Sequence, residues 1–258
     1  MKITSLIENT SSREDISAEH GLSLFVETKN HKLLFDMGQT DLFAANAEKL
    51  GIDLTEADAA VLSHGHYDHG GGLAHFLEIN RTAPVYLSPY AFEPHYNGQD
   101  KYIGLDTGLQ ENSRLITVPD VFSICDGMTL YSCNGDERKH DLGSAGLTVM
   151  EEGQLVPDDF RHEQYLLIEE DGKKILISGC SHKGILNIAD LFSPDILIGG
   201  FHFSKFPCDD TLASYAKYLD SFDTLYYTCH CTGTEQYEFM KKHMKNLRYL
   251  ASGDILEI

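Results

Sequence analysis

The stretch SHGHYDHGGGL, residues 63–73, places three histidines and an aspartate within six positions. They are His64, His66, Asp68 and His69. Imidazole nitrogens and carboxylates are ligands that zinc and related transition metals take in proteins. In an extended backbone, alternate side chains project to the same side, so His64 and His66 can bind one cation while Asp68 and His69 continue past it. The spacing therefore predicts a metal site.

The element that must position these side chains is the apolar run AAVL just before them, which is typical of a buried strand. Three consecutive glycines follow the histidines. Glycine is costly inside helices and strands and is favoured where the backbone turns. We therefore interpret residues 63–73 as a loop that a rigid strand delivers to the protein surface.

One loop cannot supply all the ligands of two cations, so further ligands are expected at the ends of other strands. Three segments share an apolar strand, a small or polar turn and then a histidine: ILISGCSHKG, ILIGGFHF and LYYTCHCTG. Their candidate ligands are Cys180, His182, His202, Cys229, His230 and Cys231. Together with the first loop, these segments predict strand ends that converge on one edge of a sheet sandwich.

Strands dominate the first half of the chain, where only DLFAANAEKLG clearly predicts a helix. In the second half, strands alternate with helical segments near 184–192, 209–220 and 234–246. This pattern predicts a mixed α/β fold with two sheets packed face to face and helices outside. One domain over residues 1–258 is expected, because no low-complexity linker or strong repeat interrupts the chain.

Composition limits the function classes. At 258 residues and 42% hydrophobic content, the chain can bury a full core, and its net charge of −20 disfavours nucleic-acid partners. No apolar run approaches the roughly 18 residues of a membrane span, and no signal peptide is recognisable. Six scattered cysteines then suggest thiols or metal ligands. We expect a cytoplasmic protein with a small-molecule substrate and no membrane partner; the oligomeric state stays open.

Residues 90–114 carry aromatics among glycines and polar residues without clean periodicity, which predicts a long loop insertion. Long loops in compact domains are usually functional. Tyr96 and Tyr102 would offer a flat heterocycle rigid surfaces near the metals. The alternative is that the aromatic side chains pack a small core beneath the loop.

The motif HGHYDH matches the HxHxDH signature of the metallo-β-lactamase superfamily, and LLFDMG matches that family's strand ending in Asp-x-Gly. The segments EHGLSLFVE, LFDMGQT, ISGCSHKGILN, GGFH and CHCTG resemble the subgroup of dihydropterin ribofuranosylaminobenzene 5′-phosphate synthase-like proteins. The resemblance spans residues 1 to about 250 and implies a four-layer αββα sandwich with a dinuclear metal centre. It implies that His64 and His66 bind one metal and that Asp68 and His69 bind the second.

The remaining ligands are less regular. Many family members end a strand in Gly-Asp, and that Asp bridges the metals; here Cys180 stands in its place, as a thiolate ligand or as a buried apolar residue. We predict His182 as the third ligand of the first metal. His162 is the rival, but it lies among charges that suit solvent. His230 is predicted as the last ligand of the second metal.

The CHC triplet around His230 would suggest a clamp for a soft metal ion. Adjacent side chains of an extended segment alternate, so the three cannot all face one site. We therefore interpret Cys229 and Cys231 as structural.

Two divalent ions, zinc in the first instance and iron or manganese as alternatives, would polarise a shared water and lower its pKa towards about 7. Asp68 would orient this water and take its proton. Asp36 would accept a hydrogen bond from a ligand imidazole. His202 would donate to the developing oxyanion or protonate the leaving group. These roles predict a metal-dependent hydrolase of a small phosphodiester or ester. The alternatives are a pterin-linked synthase of the resembling subgroup and a binding protein that keeps the metal site without turnover.

Overall fold

The structure, a computed structural model, describes residues 1–258. The strands are β1 Lys2–Ile7, β2 Ser23–Glu27, β3 Lys32–Phe35, β4 Ala59–Val61, β5 Val85–Leu87, β6 His95–Asn97, β7 Lys101–Tyr102, β8 Leu115–Thr117, β9 Val121–Cys125, β10 Met128–Tyr131, β11 Leu147–Glu151, β12 Gln154–Pro157, β13 Tyr165–Glu170, β14 Lys173–Ile177, β15 Ile196–Gly199, β16 Leu225–Thr228, β17 Leu247–Tyr249 and β18 Ile255–Glu257. The α-helices are α1 Leu42–Lys49, α2 Tyr67–Gly70, α3 Leu73–Ile79, α4 Ile185–Phe192, α5 Asp210–Leu219 and α6 Thr234–Met240. No helix combines the length and the apolar character that crossing a membrane requires.

The chain forms two compact units. Unit 1 comprises Met1–Pro119, Gly146–Gln164 and Ala251–Ile258, and unit 2 comprises Asp120–Ala145 and Tyr165–Leu250. Each unit contains one seven-stranded sheet, and unit 1 also contains a four-stranded sheet. The mixed α/β class is as predicted, and the organisation as one domain stays a prediction.

In the large sheet of unit 1, the strand order is β18-β1-β2-β3-β4-β5-β8. Strands β3, β4, β5 and β8 run parallel, so their carboxyl ends lie at the same edge. Phe35 at the end of β3 pairs with Val61 at the end of β4. This register brings Asp36 beside the segment that begins at Ser63.

The core of unit 1 explains why β4 is a fixed support. Its three residues are buried, as expected for a central parallel strand with apolar side chains on both faces. Ala60 belongs to a cluster that includes Phe25, Leu34, Phe43 and Phe76. Close packing of this kind holds the strand end, and therefore the first residues of the histidine segment, in one position.

The glycines led us to expect that the histidine segment is a loop throughout, but part of it is helical. Residues 67–70 form a helical turn, and α3 starts three residues later. The glycines serve close backbone approach instead of chain reversal. A Cβ atom on Gly71 would lie 2.2 Å from the carbonyl oxygen of Gln39, and one on Gly72 would lie 2.4 Å from that of Met37. Only glycine fits at these two positions, and the adjoining helices tolerate the glycines.

The segment 90–114 also contains secondary structure that its sequence did not indicate. Strands β6 and β7 pair with each other, and β6 pairs with β11 in the small sheet of order β12-β11-β6-β7. The register places His95 opposite Val149. His95 is therefore held by backbone pairing and is fully buried.

The sheet of unit 2 has the order β17-β16-β15-β14-β13-β10-β9. Strands β14 to β17 are parallel and alternate with helices α4, α5 and α6, so the carboxyl ends of β14, β15 and β16 lie at one edge. The first two of these helices match their predicted ranges closely. Helix α6 ends earlier than predicted, at Met240, and the basic run after it continues only as turns.

Candidate metal centre

Four predicted ligands lie together in unit 1, directly after β4. The ring centroid of His64 is 4.6 Å from that of His66 and 4.1 Å from that of His69. All three imidazoles and the carboxylate of Asp68 are buried. Four buried ligand-type side chains at one strand end match the chemistry expected from the HxHxDH spacing.

The position of Asp36 determines which ring nitrogen of His69 carries a proton. Its carboxylate is fully buried and accepts hydrogen bonds from the backbone nitrogen and the hydroxyl of Ser63, both at 2.7 Å. Nδ1 of His69 lies 2.7 Å from Asp36 Oδ2. Because a carboxylate only accepts, Nδ1 of His69 donates, and Nε2 keeps its lone pair. Asp36 thus makes the contact with an imidazole that the sequence predicted.

The same carboxylate acts on His64 through Ser63. A hydroxyl has one proton, and that of Ser63 is donated to Asp36. The hydroxyl oxygen, 2.8 Å from His64 Nδ1, therefore accepts from that nitrogen. Nε2 of His64 keeps its lone pair as well. A metal ion requires ring nitrogens without a proton, so this donor set fits a transition-metal ion.

Backbone strain accompanies several of these positions. Asp36, one residue after β3, has a φ of +59°, and in unit 2 Ser181, His202 and His230 have φ values of +58°, +56° and +48°. Each follows the carboxyl end of a parallel strand. Residues other than glycine enter this left-handed region at a cost and concentrate where a side chain must be aimed for function.

Two of the histidines have pKa values shifted in opposite directions. Burial lowers the pKa of His66 well below its usual 6.5, and the neighbouring His162 lowers it further. Burial alone would lower the pKa of His69 too, but the carboxylates of Asp36, Asp68 and Glu163, with Asp36 contributing most, together outweigh burial and raise it. His66 is therefore held in the neutral form that binds a cation. The hydrogen bond to Asp36 orients the ring of His69 and also makes that ring more basic.

The expectation that His162 faces solvent is wrong. Its ring is fully buried, with its centroid 5.0 Å from that of His66. Nδ1 of His162 accepts a hydrogen bond of 2.9 Å from the backbone nitrogen of Gly65. The proton of the neutral ring is then on Nε2, which lies 3.4 Å from Asp158 Oδ2. His162 thus holds the backbone between His64 and His66; whether His162 or His182 binds metal stays open.

Asp158 and His95 belong to this cluster, and no motif pointed to them. Nδ1 of His95 lies 2.8 Å from Asp158 Oδ2, and the His95 ring stacks on that of His162 with centroids 3.9 Å apart. Burial would raise the pKa of Asp158, but hydrogen bonds from His162 and His95 outweigh it and lower the pKa below its usual range. Ligand atoms of His66, His95, Asp158 and His162 all lie within 4.8 Å of one another. The Asp158 carboxylate thus connects His95, in segment 90–114, with His162, which contacts the backbone of the predicted metal ligands.

His20 is a further residue that the sequence analysis did not single out. Its Nε2 lies 3.2 Å from Asp68 Oδ2, and its Nδ1 lies 3.3 Å from the side-chain amide nitrogen of Asn9. If the amide donates to Nδ1, then Nε2 carries the proton and donates to Asp68. The ring of His20 is 55% exposed, so it connects a buried carboxylate with solvent. The only sequence signal was its place in the motif EHGLSLFVE.

Tyr96 and Tyr102 form an edge-to-face pair with ring centroids 5.5 Å apart. Tyr102 is 43% exposed, and its hydroxyl donates to the carbonyl oxygen of Leu105 at 2.9 Å. Ala91 and Leu105 are buried in a small apolar cluster with Leu62 and Leu87. The segment therefore contributes aliphatic residues to a small core, but Tyr96 and Tyr102 are not members of it. Tyr102 is exposed and Tyr96 is half-buried. Substrate binding by these rings stays a prediction.

In unit 2, the other predicted residues follow the ends of β14, β15 and β16. Cys180, His182 and His230 are buried, and His202 is half-buried. The ring centroids of His182 and His202 are 4.4 Å apart. A shared centre of His182 and His230 with the histidines of unit 1 stays a prediction from sequence.

Comparison with known proteins assigns the family. A family model for the metallo-beta-lactamase superfamily matches residues 17–225. The protein MJ0448 of Methanocaldococcus jannaschii, described as uncharacterized, is 30% identical over 88% of this chain and 89% of its own length. The 7,8-dihydropterin-6-methyl-4-(beta-D-ribofuranosyl)-aminobenzene-5′-phosphate synthase of the same organism is 27% identical over 93% of this chain and 90% of its own length.

The solved structure of Tm1679, described as a metal-dependent hydrolase of the beta-lactamase superfamily, is similar over 100% of this chain and 99% of its own. The TM-score is 0.85 and the sequence identity is 30%. This likeness confirms the predicted metallo-β-lactamase fold. Since the family model covers most of the chain and the HxHxDH residues form a buried cluster at a strand end, the chain belongs to the metallo-beta-lactamase superfamily.

Proposed function

We propose that this protein is a metal-dependent hydrolase of a small phosphodiester or ester, acting with two divalent metal ions, zinc in the first instance. The observation that carries the proposal is the Asp36–Ser63 network, which leaves Nε2 of His64 and of His69 as lone-pair donors. A network that sets two tautomers at once has little use without a cation. The description of Tm1679 as a metal-dependent hydrolase supports the same activity.

In this proposal, His64, His66, Asp68 and His69 hold the metal ions. Divalent ions bound there would act as Lewis acids that activate water and polarise the bond to be broken. Asp68 orients the attacking water and accepts its proton, and His20 can pass that proton to solvent through its exposed ring. By the sequence-based assignment, His202 would donate to the developing oxyanion or protonate the leaving group.

The substrate class follows from charge and from the aromatic pair. A net charge of −20 disfavours polyanions such as nucleic acid, so a small substrate with few phosphates is favoured. The edge-to-face pair of Tyr96, which is half-buried, and Tyr102, which is exposed, offers a flat ring an aromatic surface. Together they favour a small molecule that contains a planar ring and one ester or phosphodiester group.

The test combines metal analysis with an activity screen. Untagged protein is analysed for metal content and assayed with bis(p-nitrophenyl) phosphate and p-nitrophenyl acetate in the presence of the metal found. We expect the protein to hydrolyse at least one of these two substrates. His64→Gln should lose this activity, and the control variant His31→Gln, which changes an exposed histidine paired with Asp58, should retain it. Metal binding without turnover of any phosphodiester or ester would contradict the proposal and favour a binding protein that has kept the site.

Metal stoichiometry tests the proposed ligands separately from activity. Two ions per chain are expected, and the double change of Asp68 and His69 to Ala should halve the metal content while the fold persists. His182→Ala should abolish tight binding of the first ion, whereas His162→Ala should not. The reverse result would make His162 the ligand.

The second candidate function is the synthase reaction named for the archaeal relative, which joins a pterin to a ribosylated aminobenzene phosphate. It is favoured by 27% identity to that synthase over 93% of this chain. Quenching of pterin fluorescence on titration with the protein, followed by chromatographic detection of a joined product, distinguishes it from the hydrolase. Absence of pterin binding would exclude it.

A further inference from the structure

Gly65, the residue between His64 and His66, is held from two sides. Its backbone nitrogen donates a hydrogen bond of 2.9 Å to Nδ1 of His162, which lies 97 positions further along the chain. A Cβ atom on Gly65 would lie 2.1 Å from the carbonyl oxygen of Ala91, so only glycine lets the two backbones approach this closely. The backbone that carries both imidazoles therefore depends on residues outside the histidine segment.

The two ring nitrogens of His162 both have protein partners. A backbone N–H group can only donate, so Nδ1 of His162 accepts and carries no proton. In the neutral ring the proton is then on Nε2, which faces Asp158 Oδ2 at 3.4 Å. A metal ion needs the lone pair of a ring nitrogen, and the lone pair of this ring is directed at Gly65. In this arrangement His162 anchors the backbone and offers no nitrogen to a cation.

Asp158 and His95 keep the ring of His162 in this arrangement. Oδ1 of Asp158 accepts a hydrogen bond of 2.7 Å from the backbone nitrogen of Phe160, so Oδ2 is left to face the two imidazoles. Nδ1 of His95 donates to Oδ2 at 2.8 Å, and the His95 ring stacks on that of His162 with planes 29° apart. All three side chains are buried. The carboxylate thus sets the proton of His162, and the stacked ring sets its plane.

We propose that the cluster of His162, Asp158 and His95 positions the backbone of the histidine segment, aiming its first two imidazoles at a metal ion without ligating that ion. This inference rests on the proposed metal centre and deepens it, because it removes His162 from the candidate ligands. His95 and Ala91 both belong to segment 90–114, so this segment supports the metal ligands from behind. Partners of this kind typically contribute about 10- to 100-fold to metal affinity.

The first test compares two substitutions of His162 in the full-length chain, by calorimetric zinc titration and elemental analysis. The side-chain oxygen of asparagine can take the place of Nδ1 and accept from Gly65, but asparagine has no imidazole for a metal ion. We therefore expect His162→Asn to bind zinc almost as tightly as wild type. His162→Ala should bind the same number of ions about 10- to 100-fold more weakly. Equal losses in both variants, or the loss of one bound ion, would make His162 a ligand and overturn the inference.

The second test measures the hydrogen bond itself by nuclear magnetic resonance of the isotope-labelled, metal-free protein. A scalar coupling across the hydrogen bond links the amide nitrogen of Gly65 to Nδ1 of His162, and long-range proton–nitrogen spectra report the tautomer of the ring. We expect the wild type to show this coupling and a ring protonated at Nε2. A folded wild-type protein with the proton of His162 on Nδ1 would refute the proposal.

Asp158→Asn should move that proton. An asparagine that keeps the hydrogen bond from Phe160 presents its NH₂ group to Nε2 of His162; the opposite orientation would set two donors against each other. The ring must then accept at Nε2 and carry its proton on Nδ1, where it can no longer accept from Gly65. We expect the coupling to disappear and zinc affinity to fall by about 10- to 100-fold in a chain that circular dichroism shows to be folded.

Asp58→Asn, which alters an exposed carboxylate of the same unit, is the matched control and should keep the coupling and the zinc affinity of the wild type. Wild-type zinc affinity in a folded Asp158→Asn protein would refute the positioning role. None of these measurements uses turnover. A chain that binds zinc but hydrolyses neither test substrate would therefore contradict the hydrolase alone and leave this inference to be decided by the variants.

Discussion

Replacing Asp36 by asparagine is expected to move the protons of two histidines without changing the shape of the site. Oδ2 of Asp36 accepts from the Ser63 hydroxyl and from His69 Nδ1, and Oδ1 accepts from the Ser63 backbone nitrogen. If the asparagine oxygen keeps the backbone hydrogen bond, its NH₂ group faces the other two partners and must donate to them. His69 then accepts at Nδ1, and its proton moves to Nε2, where it blocks a metal ion.

The effect extends to His64 through Ser63. A hydroxyl that accepts from the asparagine turns its own proton towards His64 Nδ1, so the proton of His64 also moves to Nε2. In the opposite orientation, the asparagine amide would leave the buried backbone nitrogen of Ser63 without an acceptor, which costs about 1–3 kcal/mol. Either orientation is unfavourable for binding.

The magnitude follows from these contacts. Loss of the hydrogen-bond partner of one metal ligand typically costs about 10- to 100-fold in affinity, and two ligands are affected, so we expect a loss of about 100-fold or more. That loss corresponds to about 2.7 kcal/mol or more. Loss of hydrogen bonds to a buried charge should also lower the stability of the metal-free protein by about 2–3 kcal/mol. In a chain of this size, the Tm should fall by roughly 4–12 °C.

Calorimetric zinc titration of the metal-free variant measures the first effect, and thermal unfolding by circular dichroism measures the second. Ser63→Ala should give an intermediate loss of affinity, because it disconnects only His64 from the carboxylate. Asp58→Asn, which alters an exposed carboxylate, is the control for both measurements. A folded Asp36→Asn protein with wild-type zinc affinity would refute the tautomer argument.

Three further predictions concern the residues around the ligands. The pKa of His66 is lower in the folded than in the unfolded protein, so the metal-free fold has its full stability above about pH 6.5 and loses stability as the pH falls towards the pKa of the folded state. His66→Gln should therefore unfold less readily on acidification in denaturant titrations. A pH dependence of the unfolding free energy equal to that of the wild type would contradict this. Gly65→Ala places a Cβ 2.1 Å from the carbonyl oxygen of Ala91 and should lower both Tm and zinc affinity; wild-type values for both would show that the backbone can yield. Tyr96→Ala and Tyr102→Ala should weaken substrate binding while metal content and Tm stay near wild type, whereas a lower Tm with unchanged kinetics would assign the tyrosines to the core.

Several structural elements could be read from local patterns alone. The apolar run AAVL is a buried strand, and helix α1 lies within its predicted segment. The α2 turn escaped prediction because glycines that permit close backbone contact look the same in sequence as glycines that permit a turn. The strands β6 and β7 escaped because their hydrogen-bond partners include β11, about 50 residues further along the chain.

The sequence by itself determined the family, the run of strands and the presence of four metal-type ligands at one strand end, because ligand chemistry and side-chain periodicity are local properties. Only the tertiary structure decided that His162 is buried and bonded to Gly65, 97 positions away, and that Asp158 joins it to His95. Burial and tautomer depend on partners that are distant in the chain, and no local pattern records them. For the same reason, the sequence alone suggested that the side chains of the CHC triplet alternate, whereas the tertiary structure forms a turn that brings Cys231 to Cys180.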